Sequence, residues 1–318
     1  MRTAIMNGWR VLTGVLKKHW RVIQYCFVGL AFLLIGKSLY TSWRELPSLS
    51  WKLDYPWFVV SLLLVSVAML TLAAWWTLSV RLLHEPLGWR QGARIWAVAQ
   101  LAKYLPGGIW NYVGRVVACD RLGVSRPHTV LSLVIETVLR IEAAIIVFLA
   151  SLPFWPRSDW SRAELFFIVA LLVLGLIALH PLILNRSVNL TLRLLRRQPV
   201  DMASVKYGYI LGLLVGHVLT VVSTGGAFYL MVVSVHAVPI GAALPMTGML
   251  AISVILGFLN PLTPQGLGTR EGLLILLLGY YVPLPIAIVL SLLSRLWLTL
   301  AELLGVLIVT LLFRGYHW

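Results

Sequence analysis

The chain has 318 residues, of which 60% are apolar and 12% charged, a balance that leaves too little polar surface for a water-soluble globule of this size. Its formal charge of +15 lies in short stretches between apolar blocks and not on one basic domain, which argues against a nucleic-acid partner. Two cysteines, Cys26 and Cys119, are too few for a disulfide framework and lack metal-ligand spacing.

In chain order, residues 1–21 carry Arg2, Arg10, Lys17, Lys18 and Arg21. Ile5, Trp9, Leu12, Leu16 and Trp20 recur there at helical spacing, so the stretch reads as a basic amphipathic segment on the cytoplasmic surface. No small-residue cleavage pattern follows it, which makes it a retained anchor and not a removed signal. Apolar blocks then occupy 22–41, 56–78, 129–152, 165–184, 207–235 and 284–313. Each approaches or exceeds the length of about 20 residues that crosses roughly 30 Å of hydrocarbon. They lack the alternation of barrel strands, so the backbone must satisfy itself as helix. Two more apolar stretches, 92–117 and 240–282, are broken by proline and glycine. The expected fold is all-α: a polytopic membrane protein, one membrane domain over 1–318, with six full transmembrane helices and two re-entrant segments. Residues 81–126 hold seven Lys and Arg and residues 186–206 hold five, which places those faces and both termini in the cytoplasm.

Sliding the chain along itself lays Pro106 on Pro261, Arg115 on Arg270 and Arg140 on Arg295. The same offset superposes the second crossing on the fifth and the third on the sixth, each with a broken segment between. Two repeats, 22–155 and 163–313, follow. Three crossings in each would invert one relative to the other, bringing the broken segments in from opposite faces to meet near the midplane. The rival reading is that the legs of each broken segment cross fully, giving more spans and the same placement of the termini.

The broken segments concentrate the unusual chemistry. Pro106, Gly107 and Gly108 in the first, and Pro264, Gly266 and Gly268 in the second, free backbone N–H and C=O groups that hydrocarbon does not solvate. Beside them stand Lys103, Asn111, Arg115, Arg270 and Glu271. A half-helix N-terminus next to such cations suits phosphate or another anion. The third crossing adds Glu136, Arg140 and Glu142, and the last adds Arg295 and Glu302. Glu136 and Arg140 are spaced to pair on one helical face. Charges at a helix centre cost about 2.5 to 3.5 kcal/mol each, so they should face the protein interior. They serve either as an ion-pair network joining the halves or as a path for an anionic headgroup, with Glu136 or Glu302 exchanging protons. His217 with Thr220 places polar groups in the fifth crossing, where hydrogen bonds between helices are the ordinary role. No HExxH, acidic cluster, phosphate-binding GxxxxGK[ST] or GxSxG pattern is present, so no cofactor and no enzymatic activity are expected.

The string Lys103 to Trp110, KYLPGGIW, followed by Gly114 and Arg115, resembles a signature of the flippase-like membrane family that includes the membrane half of lysylphosphatidylglycerol synthase. Pro264, Gly266, Gly268 and Glu271 resemble that family's Pro-x-Gly-x-Gly-x-x-Glu element, and the likeness runs from about residue 20 to 312. It implies transfer of phospholipids or polyprenyl-linked glycolipids between leaflets of a bacterial or archaeal cell (inner) membrane. Members that also make aminoacyl lipid carry a soluble domain after the membrane region. This chain ends at Trp318, and synthesis by it is not expected. The expected partner is a lipid with a phosphate-containing headgroup, with or without an enzyme that makes the headgroup or assembles the glycan. The alternative is a non-catalytic membrane subunit that positions such an enzyme. A transferase using a lipid-phosphate donor ranks lower, because no acidic catalytic cluster is evident.

Overall fold

The computed structural model describes residues 53–104, 109–156, 161–178, 206–260, 263 and 266–313, with isolated positions between 183 and 190. The expected basic segment 1–21 and crossing 22–41 lie outside the described residues, as do Pro106, Gly107, Gly108 and Pro264. The described residues form helices and no strands.

In chain order the α-helices are α1 (Tyr55–Leu82), α2 (Trp89–Leu101), α3 (Trp110–Arg121), α4 (Arg126–Ser151), α5 (Arg162–Ala178), α6 (Tyr207–Val233), α7 (Ala243–Leu259), α8 (Thr269–Leu278) and α9 (Leu284–Leu312). Local chemistry fixes several starts. Asp54 caps α1, its carboxylate accepting from Trp57 N at 3.5 Å, and a proline sits in the first turn of α1, α4 and α9. There the missing N–H has no intrahelical partner to lose. A 3₁₀ turn, Ile240–Ala242, runs directly into α7.

Among the described residues, four helical stretches are long and apolar enough to cross a membrane: Tyr55–Leu82, Tyr207–Val233, Ile240–Leu259 and Leu284–Leu312. Three match expected crossings. The fourth is the first leg of the second broken segment. Its 20 residues rise about 30 Å, so by length this leg spans the hydrocarbon where a re-entrant half-helix was expected. Its counterpart α2 has 13 residues and rises about 20 Å. The expected crossing at 129–152 is α4, which has the length but carries Glu136, Arg140 and Glu142. The one at 165–184 is α5, described over 17 residues.

The offset seen in the sequence pairs α1 with α6, α2 with α7, α3 with α8 and α4 with α9. Packing respects that pairing. α1 lies along α6 at the centre, α4 packs on α7 as α9 packs on α2, and α4 packs on α6 as α9 packs on α1. Each half's last helix therefore rests on the other half's broken segment. The central pair is antiparallel: Asp54 N, before α1, donates to Ser234 O, after α6, at 2.7 Å, and Thr71 meets Thr220 mid-helix at 2.8 Å between hydroxyl oxygens.

Lipid tails are as apolar as leucine, so close packing and hydrogen bonds between helices must hold the bundle together. Small residues let the helices approach. Gly92 of α2 abuts the Thr77 side chain of α1, and Gly225 of α6 abuts Thr247 of α7. The two contacts join corresponding helix pairs, with the glycine and the threonine exchanging places. Trp297 of α9 is fully buried and donates to Ser61 Oγ at 3.1 Å, while Trp76 of α1 donates to Ser132 Oγ at 3.2 Å.

Candidate functional site

The second broken segment shows how its motif builds a turn. Gly266 and Gly268 have φ of +67° and +85°, a region that side chains other than glycine's enter at a cost. Gly266 also lies against the backbone of Gly257 at the end of α7, leaving no space for a Cβ. α8 begins immediately after Gly268. The Glu271 side chain reaches back from the first turn to accept from Gly268 N at 2.8 Å, as a carboxylate does at a helix N-terminus. The half-helix N-terminus expected to hold a phosphate is thus occupied by the protein's own carboxylate.

Glu271 is 3% exposed, and its other carboxylate oxygen accepts from Arg295 of α9 at 2.5 Å. Arg270 is buried and donates to Ser294 Oγ at 3.0 Å, and its Nε has no partner among the described residues. In the first half the Arg115 guanidinium of α3 is 1% exposed and bonds Glu136 of α4 at 2.5 Å. Glu136 also accepts from Trp96 Nε1 at 3.3 Å. The guanidinium carbon of Arg115 stands 5.1 Å from the Trp76 ring centroid, 5.7 Å from that of Trp96 and 6.0 Å from that of Tyr112. This cage seals the pair from any ligand and compensates its desolvation through hydrogen bonds and cation–π contacts.

The pairing departs from the expectation in one respect. Glu136 bonds Arg115 instead of Arg140, four residues along its own helix, and Arg140 has no hydrogen bond or ion pair among the described residues. Arg140 lies within electrostatic reach of Glu136, His217 and Lys103. Lys103, in the turn after α2, forms an ion pair with Glu302 of α9 and also feels Arg140 and Arg270. Arg270 in turn feels Glu271, Arg295 and Glu302.

Ionic residues of both broken segments and of α4 and α9, though not Arg94 or Glu142, therefore form one connected cluster, with Lys103 as the bridge. Lys103, Arg115, Arg140, Arg270 and Arg295 stand against Glu136, Glu271 and Glu302. Among the described residues, five cations against three carboxylates leave two formal positive charges in excess. His217, within reach of Glu136 and Arg140, has a buried Nε2 without a hydrogen-bond partner among the described residues, as do Asn111 Oδ1 and Thr263 Oγ1. Sequence reasoning missed Trp76, Trp96, Tyr112 and Ser294, whose roles depend on contacts between helices that no local spacing announces. His217 was legible only as a polar residue within a helix.

Long apolar helices enclosing an ionic cluster define a helical integral membrane protein. The chain belongs to the family of the lysylphosphatidylglycerol synthase TM region, whose model matches residues 22–314. No curated protein matches the chain. Membership connects the chain with membrane lipid, and a lipid-related role follows at that level.

Proposed function

We propose that the ionic cluster receives the phosphate-containing headgroup of a membrane lipid, an anionic phospholipid or a polyprenyl-linked glycolipid, and passes it between the leaflets while the tails stay in hydrocarbon. The observation that carries this reading is the excess of two positive charges in one cluster drawn from both halves. A headgroup leaving water loses hydration worth several kcal/mol per charge. Arg140, whose guanidinium has no hydrogen-bond partner among the described residues, supplies charge-assisted donors in its place.

Arg115 and Glu136 brace the cluster from inside their aromatic cage, and Lys103, Arg140, Arg295 and Glu302 are the members open enough to meet a headgroup. The antiparallel α1–α6 pair and the exchanged packing of α4 and α9 support an inverted repeat, and rocking of one half against the other then alternates access to the cluster. With the basic loops facing the cytoplasm of a cell inner membrane, both termini lie inside. The reading asks for no covalent chemistry and no cofactor.

The test is a reconstituted-liposome assay that follows fluorescent phosphatidylglycerol, and separately a polyprenyl-phosphate sugar, between leaflets. Wild-type protein should accelerate exchange of at least one of them. Arg140→Gln should slow exchange by about tenfold or more, the effect of losing one charge-assisted contact, with an unchanged melting temperature. No acceleration across these headgroups defeats the reading. Co-purification of a headgroup-making or glycan-assembly enzyme would then make the chain a membrane subunit of that machinery.

A further inference from the structure

We infer that the groove between α3 and α4 is a binding site for one acyl chain of a lipid with a net anionic phosphate headgroup, which rests at Arg121. The groove is open along one side, offers about 480 Å³ and is apolar almost throughout, a volume within the range of ligand pockets, about 300 to 1,000 Å³. Val113 and Val117 line it from α3, and Val130 and Val134 from α4, each 39–47% exposed. Tyr112 and Thr137 mark its inner end. There Tyr112 presents one face to the Arg115 cage, so the groove stops where the ionic cluster begins.

Two features select an acyl chain as the occupant. The first is length. From Val130 to Val138 the groove follows α4 for about 12 Å at 1.5 Å per residue, close to the roughly 15 Å that one leaflet contributes to the hydrocarbon core.

The second is charge. Val113, Val117 and Arg121 succeed one another every four residues along α3, and Arg126, Val130 and Val134 do so along α4, so each valine row ends on an arginine of the same helical face. Arg126 is engaged by Asp120, bonding both carboxylate oxygens at 2.6 and 2.7 Å. Arg121 is exposed and has no partner among the described residues. A lipid phosphate at Arg121 with its tail running inward toward Tyr112 satisfies both ends, and it places a lipid from that leaflet beside the cluster. The site holds whether or not the protein moves lipid across.

Wild-type protein in vesicles of phosphatidylcholine with a minor fraction of phosphatidylglycerol carrying a diazirine on one acyl chain tests this directly. Label should be recovered on peptides covering 112–117 and 130–138. Val117→Trp and Val134→Trp, which fill the groove, should each lower it by about fivefold. Val113→Trp replaces either variant that lowers the melting temperature. Arg121→Gln should abolish the preference for phosphatidylglycerol over a diazirine phosphatidylcholine.

Uniform labelling of the lipid-facing surface, including the exposed Val173 of α5, would overturn the site. So would label that ignores the tryptophans, or a cysteine cross-link showing that residues 22–41 fill the groove. Leaflet exchange is read in the same vesicles. Label lost with exchange intact removes the groove alone, and label retained without exchange removes translocation alone.

Discussion

Arg115 shows why an arginine in a broken segment is not by that fact a ligand-binding arginine. At 1% exposure, bonded to Glu136 and ringed by Trp76, Trp96 and Tyr112, it is part of the framework. Arg115→Met leaves Glu136 as a buried, unpaired carboxylate and should destabilise the protein by about 3 to 5 kcal/mol. The double variant Arg115→Met, Glu136→Leu should recover most of that loss, since removing both charges also removes their desolvation. Thermal unfolding in detergent checks both. An uncorrected double variant would mean that the pair does more than satisfy itself. Arg140 predicts the opposite pattern, a functional defect with stability retained, because its guanidinium has no hydrogen-bonded partner among the described residues to strand.

At the scale of elements, the second glycine motif is a backbone device. Gly266→Ala meets both a positive φ and the backbone of Gly257, so it should lower stability by about 2 kcal/mol or more. Gly272→Ala, inside α8 with nothing within 4 Å of the added Cβ, should stabilise by up to about 1 kcal/mol. Equal effects at the two glycines, measured by thermal unfolding, would contradict this account of the turn.

These elements also show what the sequence made legible. The helices at 56–78, 207–235 and 284–313 stood out because lipid imposes length and apolarity together. The place of the second broken segment was legible, but the length of its legs was not. Proline and glycine mark where a helix stops and say nothing of how far the preceding leg runs, so Ile240–Leu259 emerged with the length of a full crossing. Partner choice was legible least. Glu136 had Arg140 at ideal spacing on its own helix and took Arg115 from another, because the cage of Trp76 and Trp96 positions that arginine and leaves Arg140 outside it.

For the whole molecule, the packing makes a testable claim about direction. Thr71 and Thr220, 2.8 Å apart at their hydroxyls, lie midway along antiparallel α1 and α6. With Cys26 and Cys119 replaced by alanine, Thr71→Cys and Thr220→Cys should form a disulfide on mild oxidation. After cleavage within 179–205, the two halves should then stay joined until reduced. A parallel arrangement would leave these mid-helix positions level but carry Asp54 and Ser234, whose backbones bond at 2.7 Å, to opposite ends, so a disulfide between Asp54→Cys and Ser234→Cys, formed alongside the first, reads the direction.

The exchanged packing also imposes an order in time. Lys103 and Glu302 are 199 positions apart, and a ribosome adding about 5 to 20 residues per second needs roughly 10 to 40 s to travel from one to the other. Throughout that interval the lysine is in or near the bilayer before Glu302 exists to pair with it, and α4 awaits the helix of the second half on which it rests. The nascent first half must therefore be held where water or an insertion factor shelters its charges. Slowing translation downstream of residue 155 should expose that half to membrane proteases more than slowing it earlier.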